Sequence, residues 1–164
     1  MDDHLAALAA TPKSLAHLVA EASDARLDAP LEGGWSARTI IAHLRDDEYL
    51  CMRAALERML AEVAPLLTFI DGADWEPGRN RTRDVKALLL TDFALQRQAS
   101  LNILQGLRTE DWARTGRRAP GGTFDVTQLV AAWARHDAEH LAQLEAALGE
   151  TLAEVRARRA RMAE

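Results

Sequence analysis

His136 and His140 stand four residues apart in the run WARHDAEHLAQLE, and a third histidine, His43, lies far upstream in WSARTIIAHLRDDE. Positions i and i+4 of an α-helix share a face, with roughly 6 Å between their Cβ atoms, so two imidazoles in this spacing can converge on one ion. Neutral imidazole nitrogen suits zinc, nickel, copper or ferrous iron. Three such donors leave at least one coordination position for water or substrate, which is how catalytic rather than structural sites are built.

Two common metal chemistries fail on the residues themselves. HDAEH has Asp137 where an HExxH protease carries the glutamate that serves as its general base. A di-iron carboxylate bundle needs glutamate three positions before two of its histidines, but Ile40, Trp133 and Asp137 occupy those positions. A single ion is the better reading. Asp47, one turn after His43, shares its face and can accept a proton from a ligand imidazole or a bound water, or else serve in a surface salt bridge. Cys51, a turn further, reads as a small core residue, and His4 and His17 as solvated or structural. Trp35, Trp112 and Trp133 are candidates for the site entrance, with anchoring in core or loop as the alternative for each.

These residues need helices to position them. Apolar residues recur at helical spacing and no stretch alternates convincingly with period two, so the chain reads as all-α. Thr11-Pro12 marks the start of a first helix with Leu15, Leu18, Val19 and Ala22 inward, preceded by a short turn around Leu5 and Leu8. Gly33-Gly34-Trp35 breaks the chain, and Ser36 caps a long second helix whose stripe runs Thr39, Ile40, His43, Leu44, Asp47, Cys51, Ala55 and Met59, ending near Pro65. After a turn-rich loop through Asp71, Trp75 and Gly78, a third helix spans about 80–107, facing inward with Val85, Leu88, Leu89, Gln96, Ile103 and Leu104. Residues 109–124 read as an irregular surface crossing. Asp125 and Gln128 form a capping box for a fourth helix with Leu129, Trp133, His136, His140, Leu144 and Ala147 inward and Gly149 at its end. Thr151 caps a short final helix, whose Arg156, Arg158, Arg159 and Arg161 read as a solvated helix end with no assigned function.

The balance of 25 acidic against 20 basic residues gives a net charge of −5, which argues against a nucleic-acid partner. The acidic start MDDHLAALAATPKS lacks the basic region of a signal peptide, and no apolar run reaches the ~18 residues of a membrane span. With one cysteine there is no internal disulfide, so the expectation is a cytoplasmic protein without membrane attachment, folded as one domain over 1–164.

With those residues in place, the chain resembles the DinB/YfiT-like superfamily, in particular its DinB_2 branch. The likeness rests on GGWSARTIIAHL around His43, LRTEDWARTG in the crossing, Gly-Gly-Thr before the last long helix and HDAEHLAQLE around His136 and His140. It implies a four-helix bundle that is a mirror variant of the up-and-down topology, with a divalent ion, nickel or zinc, on His43, His136 and His140. It further implies a metal-dependent thiol S-transferase acting on a small electrophilic substrate with a low-molecular-weight thiol as cofactor, and a homodimer. The rival reading is a non-catalytic metal-binding or stress-associated dimer. The isomerases of the group carry an additional C-terminal domain, and the chain as given stops soon after the fourth helix, so that particular activity is not the expectation.

Overall fold

The computed structural model describes residues 2–30 and 34–162; Gly33, in the expected chain break, lies outside them. In chain order the helices are α1 (Asp2–Val19), α2 (Asp24–Asp28) and α3 (Ala37–Asp47), then a π-helical stretch (Glu48–Arg53) that runs on into α4 (Ala54–Ala61). They continue with α5 (Gly72–Gly78), α6 (Lys86–Gln105), α7 (Val126–Leu148) and α8 (Leu152–Met162). The bundle is made by α1, the α3–π–α4 rod, α6 and α7. Both α1 and α3 pack against α6 and α7. The first two long helices therefore face each other across the bundle diagonal, as do the last two, and the chain needs long connections where a simple up-and-down bundle uses tight turns.

Several local signals act as the sequence predicts. Ser36 accepts a hydrogen bond from the Thr39 amide at 3.2 Å and opens α3. Asp125 and Gln128 form a complete capping box, each side chain accepting from the other's backbone amide at 2.8 and 2.9 Å. Gly149 takes the left-handed conformation, φ 61°, that ends α7. Every residue of the stripe expected on the second helix is buried.

Three expectations need correction. First, α1 starts at Asp2 and runs through Thr11-Pro12. Asp2 and Asp3 suit the positive end of the helix dipole, and the Leu8 carbonyl, which proline cannot serve from position 12, accepts instead from Arg97 Nη1 at 2.8 Å. Thr11 is buried mid-helix and is not a cap.

Second, the inward face of α6 is Leu89, Phe93, Arg97, Ser100, Leu101 and Leu104, while Val85 and Leu88 are exposed. A charged residue sits at the centre of the stripe, which rotates the buried face away from the purely apolar reading. The helix also begins at Lys86 rather than near Asn80, because Asn80 caps a separate 3-10 turn, Arg81–Arg83.

Third, the supposedly irregular crossing contains a 3-10 turn, Thr109–Ala113, and a hairpin of β2 (Thr115–Arg118) with β3 (Gly122–Asp125). A parallel strand β1 (Leu66–Leu67) completes a small sheet on the other edge of β2. Strands of two to four residues are too short to show period two, and tertiary pairing overrides the weak strand propensity of TGRR. Gly116 belongs to this packing: a Cβ there would lie 2.5 Å from Leu67 Cδ1.

The core has two apolar parts. One holds Leu15, Ile40, Leu44, Leu89, Phe93 and Leu144; the other holds Leu8, Met52, Leu56, Leu101, Leu104, Val126 and Trp133. Along every long helix the changeover between them falls at a polar residue: Thr11, Asp47 and Glu48, Arg97, and Asp137. A polar layer thus cuts across the middle of the bundle, and the three histidines lie in it. The final helix, α8, is more than a frayed end, since Val155 is buried and Arg158 bridges Glu21 and Glu150.

Candidate metal centre

The rod and α7 bring His43, His136 and His140 together. His136 Nε2 lies 3.2 Å from His43 Nε2 and 3.1 Å from His140 Nε2, and one ligand nitrogen from each ring falls within 4.8 Å of the others. Four ligands placed tetrahedrally at about 2.0–2.1 Å from one ion sit roughly 3.3 Å apart, so the two short edges match what a common ion requires. Hydrogen bonding among the rings is a poorer account of the cluster. Each ring nitrogen offers either one N–H or one in-plane lone pair, and His136 Nε2 faces two neighbours at once.

The electrostatics keep donors in the ligating form. Burial, with the neighbouring imidazoles His140 and His136, pulls His43 down to about 3. Burial, with His136 beside it, also lowers His140. Both rings are therefore neutral at physiological pH, with nitrogen lone pairs available. His140 Nδ1 donates to Gln143 Oε1 at 2.8 Å, which fixes the tautomer and leaves Nε2 free to ligate. His136 Nδ1 lies 3.9 Å from Asp137 Oδ1.

His43 is buried, whereas His136 and His140 are half-buried at the edge of the α7 stripe rather than inside it. The position inside is Asp137. That half-exposure gives the cluster its opening: a cavity of about 640 Å³ with the histidines, Asp47 and Trp35 in its lining, roofed by Phe69, Arg118 and Phe124 from the sheet region. The expected surface crossing therefore closes over the site.

Asp47 Oδ2 stands 3.6 Å from His136 Nε2, and burial raises its pKa. Burial, with the Asp47 carboxylate next to it, pushes the Cys51 thiol up to about 12, and Cys51 Sγ accepts from the Ile70 amide at 3.3 Å. Cys51 is thus a neutral core residue, as its place on the stripe predicts. His4 is exposed and His17 half-buried, and neither joins the cluster.

The tryptophans divide. Trp35 packs against His43, ring centroids 4.9 Å apart, and stacks on His140 at 6.4 Å, forming a wall of the site. Trp133 is fully buried and donates its indole N–H to Glu48 Oε2 at 3.0 Å, and Trp112 packs at the margin of the second apolar cluster. Trp75, expected only as part of a turn-rich loop, is a further wall residue: it meets His43 edge-on at 5.2 Å and donates to Asp46 Oδ2 at 3.1 Å. Its signal was present in DGADW, where Asp71 caps α5 by accepting from the Ala73 amide at 2.8 Å.

Sequence reasoning also missed the network behind the histidines. Arg97 reaches Glu48 Oε2 at 2.8 Å and Asp137 Oδ2 at 2.6 Å, as well as the Leu8 carbonyl, and Asp137 accepts from the Thr11 hydroxyl at 2.8 Å. These contacts tie all four long helices together. An arginine in register with Leu89, Phe93 and Leu104 was the sign of it, because a guanidinium on an inward stripe has to find buried anions.

The comparisons with known proteins come to the same architecture. The family model for DinB_2, DinB superfamily, matches residues 7–144. A protein of Oceanobacillus iheyensis named "Putative metal-dependent hydrolase OB0782" is 24% identical over 134 residues, covering 81% of this chain and 77% of that protein. Among solved structures, "YfiT from Bacillus subtilis is a probable metal-dependent hydrolase with an unusual four-helix bundle topology" describes a match at TM-score 0.74 and 18% identity, over 92% of this chain and 88% of that one. At that identity the likeness speaks for the fold.

Proposed function

This chain belongs to the DinB superfamily, and we propose that it is a mononuclear metalloenzyme whose divalent ion, nickel or zinc, is held by His43, His136 and His140. The observation that carries this reading is the convergence of their Nε2 atoms at 3.1 and 3.2 Å, with two of the rings held neutral by burial. A divalent ion bound there supplies Lewis acidity, which brings the pKa of a coordinated thiol or water down toward neutrality.

The protein's own groups do the rest. Gln143 orients His140, and Trp35 with Trp75 holds the ring of His43 and excludes water from that side. Asp47 is placed to take a proton from an incoming nucleophile beside His136. The protein supplies no nucleophile from Cys51, whose thiol stays protonated. The attacking group therefore comes from outside, and a cavity of about 640 Å³ has room for a small thiol together with an electrophile. We accordingly favour transfer of a low-molecular-weight thiol to a small electrophilic substrate. The position of Asp47 also favours a second reading, hydrolysis, the activity named for the Oceanobacillus relative.

The test begins with elemental analysis: wild-type protein should hold one divalent ion per chain, and each of His43→Ala, His136→Ala and His140→Ala should lose it. Metal-replete protein is then assayed with a panel of thiols and 1-chloro-2,4-dinitrobenzene, and without thiol on p-nitrophenyl acetate. Thiol-dependent turnover that vanishes in all three variants supports transfer, and thiol-independent ester cleavage supports hydrolysis. A stoichiometric ion with neither activity returns the protein to the non-catalytic class.

A further inference from the structure

The sheet region supplies three arginines, and two are spent on structure. Arg114 Nε donates to the Met59 carbonyl at 2.6 Å and Nη2 to that of Glu62 at 3.0 Å, closing the end of α4. Arg117 Nε donates to the Ala64 carbonyl at 2.9 Å. Strand alternation turns Arg118 to the other side, the face where Gly116 meets Leu67 and Met59, and so toward the cavity it helps to line. Among the described residues no carboxylate or carbonyl pairs with Arg118. Its guanidinium lies 5.3 Å from the centroid of the Phe69 ring, a cation–π contact that orients the group without neutralising it.

The other charges around the cavity are committed. Asp71 caps α5, Glu139 stands 3.7 Å from Arg135, and Asp47 lies beside His136 with the Cys51 thiol next to it. Phe69 and Phe124, ring centroids 6.3 Å apart, give the same mouth an apolar surface. The cavity therefore has the histidines on one side, aromatic walls and, among the described residues, one cation at its rim, Arg118, with no carboxylate beside it.

We propose that Arg118 is a specificity residue that binds the carboxylate of a small substrate or thiol whose apolar body lies against Phe69 and Phe124, with its reacting end toward the histidines. This rests on the assignment of that cavity as the active site. A single guanidinium offers the paired N–H donors that a carboxylate takes and balances one negative charge, whereas a phosphate dianion calls for more cationic or backbone donors than this rim supplies.

The experiment is calorimetric titration of the full chain, zinc-loaded and EDTA-stripped, with 3-phenylpropionate, its neutral amide and phenyl phosphate. Wild type should bind the acid about tenfold more tightly than the amide, the gain of one charge-assisted contact. Arg118→Ala should bring the two within twofold, Arg118→Lys should keep part of the preference, and zinc content and Tm should stay at the wild-type level. The preference must persist in stripped protein. Loss of it on stripping would show that the carboxylate sits on the ion and overturn the assignment. Equal binding of acid and amide by wild type, no binding of either, tighter binding of phenyl phosphate, or a preference untouched by Arg118→Ala would overturn it as well. Zinc content is read separately in each protein, so a failure of the metal centre is distinguishable from a failure of the carboxylate site.

Discussion

Two halves of one polar layer differ in how their polar atoms are satisfied. Around Arg97 all but one of the donors and acceptors are matched: the guanidinium meets two carboxylates and a carbonyl, the Trp133 indole and Thr11 hydroxyl donate to the same carboxylates, and Glu48 Oε1 alone among the described atoms of this network has no partner. Next to it, at His136, three imidazole nitrogens converge, and no carboxylate or carbonyl lies closer to His136 Nε2 than the two neighbouring rings. The first arrangement is satisfied almost wholly inside the protein and is fully buried, whereas the second brings like groups together at the wall of a cavity, with two of its three rings half-buried; the first is a framework and the second has the character of a binding site.

The π-helical stretch lies at the junction. It follows directly on Asp47 and begins at Glu48, and these adjacent carboxylates serve opposite halves of the layer, one beside His136 and the other on Arg97. A wider helical turn that departs from the i→i+4 pattern at such a junction is a recurrent feature of functional sites.

Breaking the framework should cost most. Arg97→Ala leaves Glu48 and Asp137 buried and uncompensated, and urea unfolding should show a loss of about 3–5 kcal/mol. A loss under 1 kcal/mol would mean that the network does not hold the helices. Trp133→Phe keeps most of the ring but strands Glu48 Oε2 of one donor, an expected cost of about 1–3 kcal/mol by the same measurement. On the other half of the layer, Gln143→Ala frees the His140 tautomer and should weaken zinc binding about tenfold in a competition titration, with unfolding unchanged. The smallest expected effect is on the fold itself: His140→Ala in metal-free protein should shift stability by less than about 1 kcal/mol, because this ring is half-buried and serves no partner in the framework. A large destabilisation there would erase the distinction between the halves.

Much of this was legible in the chain. Helix type, the inward stripe of the second helix and the capping box at Asp125 and Gln128 all follow from local spacing and local hydrogen bonding, which a sequence displays directly. The meeting of His43 with the α7 pair was readable because metal ligation demands a face shared by i and i+4 and a third donor on another inward stripe. What escaped depended on contacts distant in sequence. Pro12 looked like a helix start because its missing N–H is a local fact, whereas the Arg97 contact that compensates for it lies far along the chain. Arg97 shares the spacing of Leu89, Phe93 and Leu104, but a charged side chain cannot be placed in a core from spacing alone while its buried anions are unknown. The hairpin at 115–125 was hidden by strands too short for periodicity, and with it went the roof of the site, Arg118 included.

The most direct test is X-ray absorption at the zinc edge of the loaded protein. The zinc should be surrounded by three imidazole nitrogens at about 2.0–2.1 Å, falling to two in His43→Ala. A shell with no imidazole scattering, one dominated by sulfur from Cys51, or one unchanged when His43 is removed would contradict this.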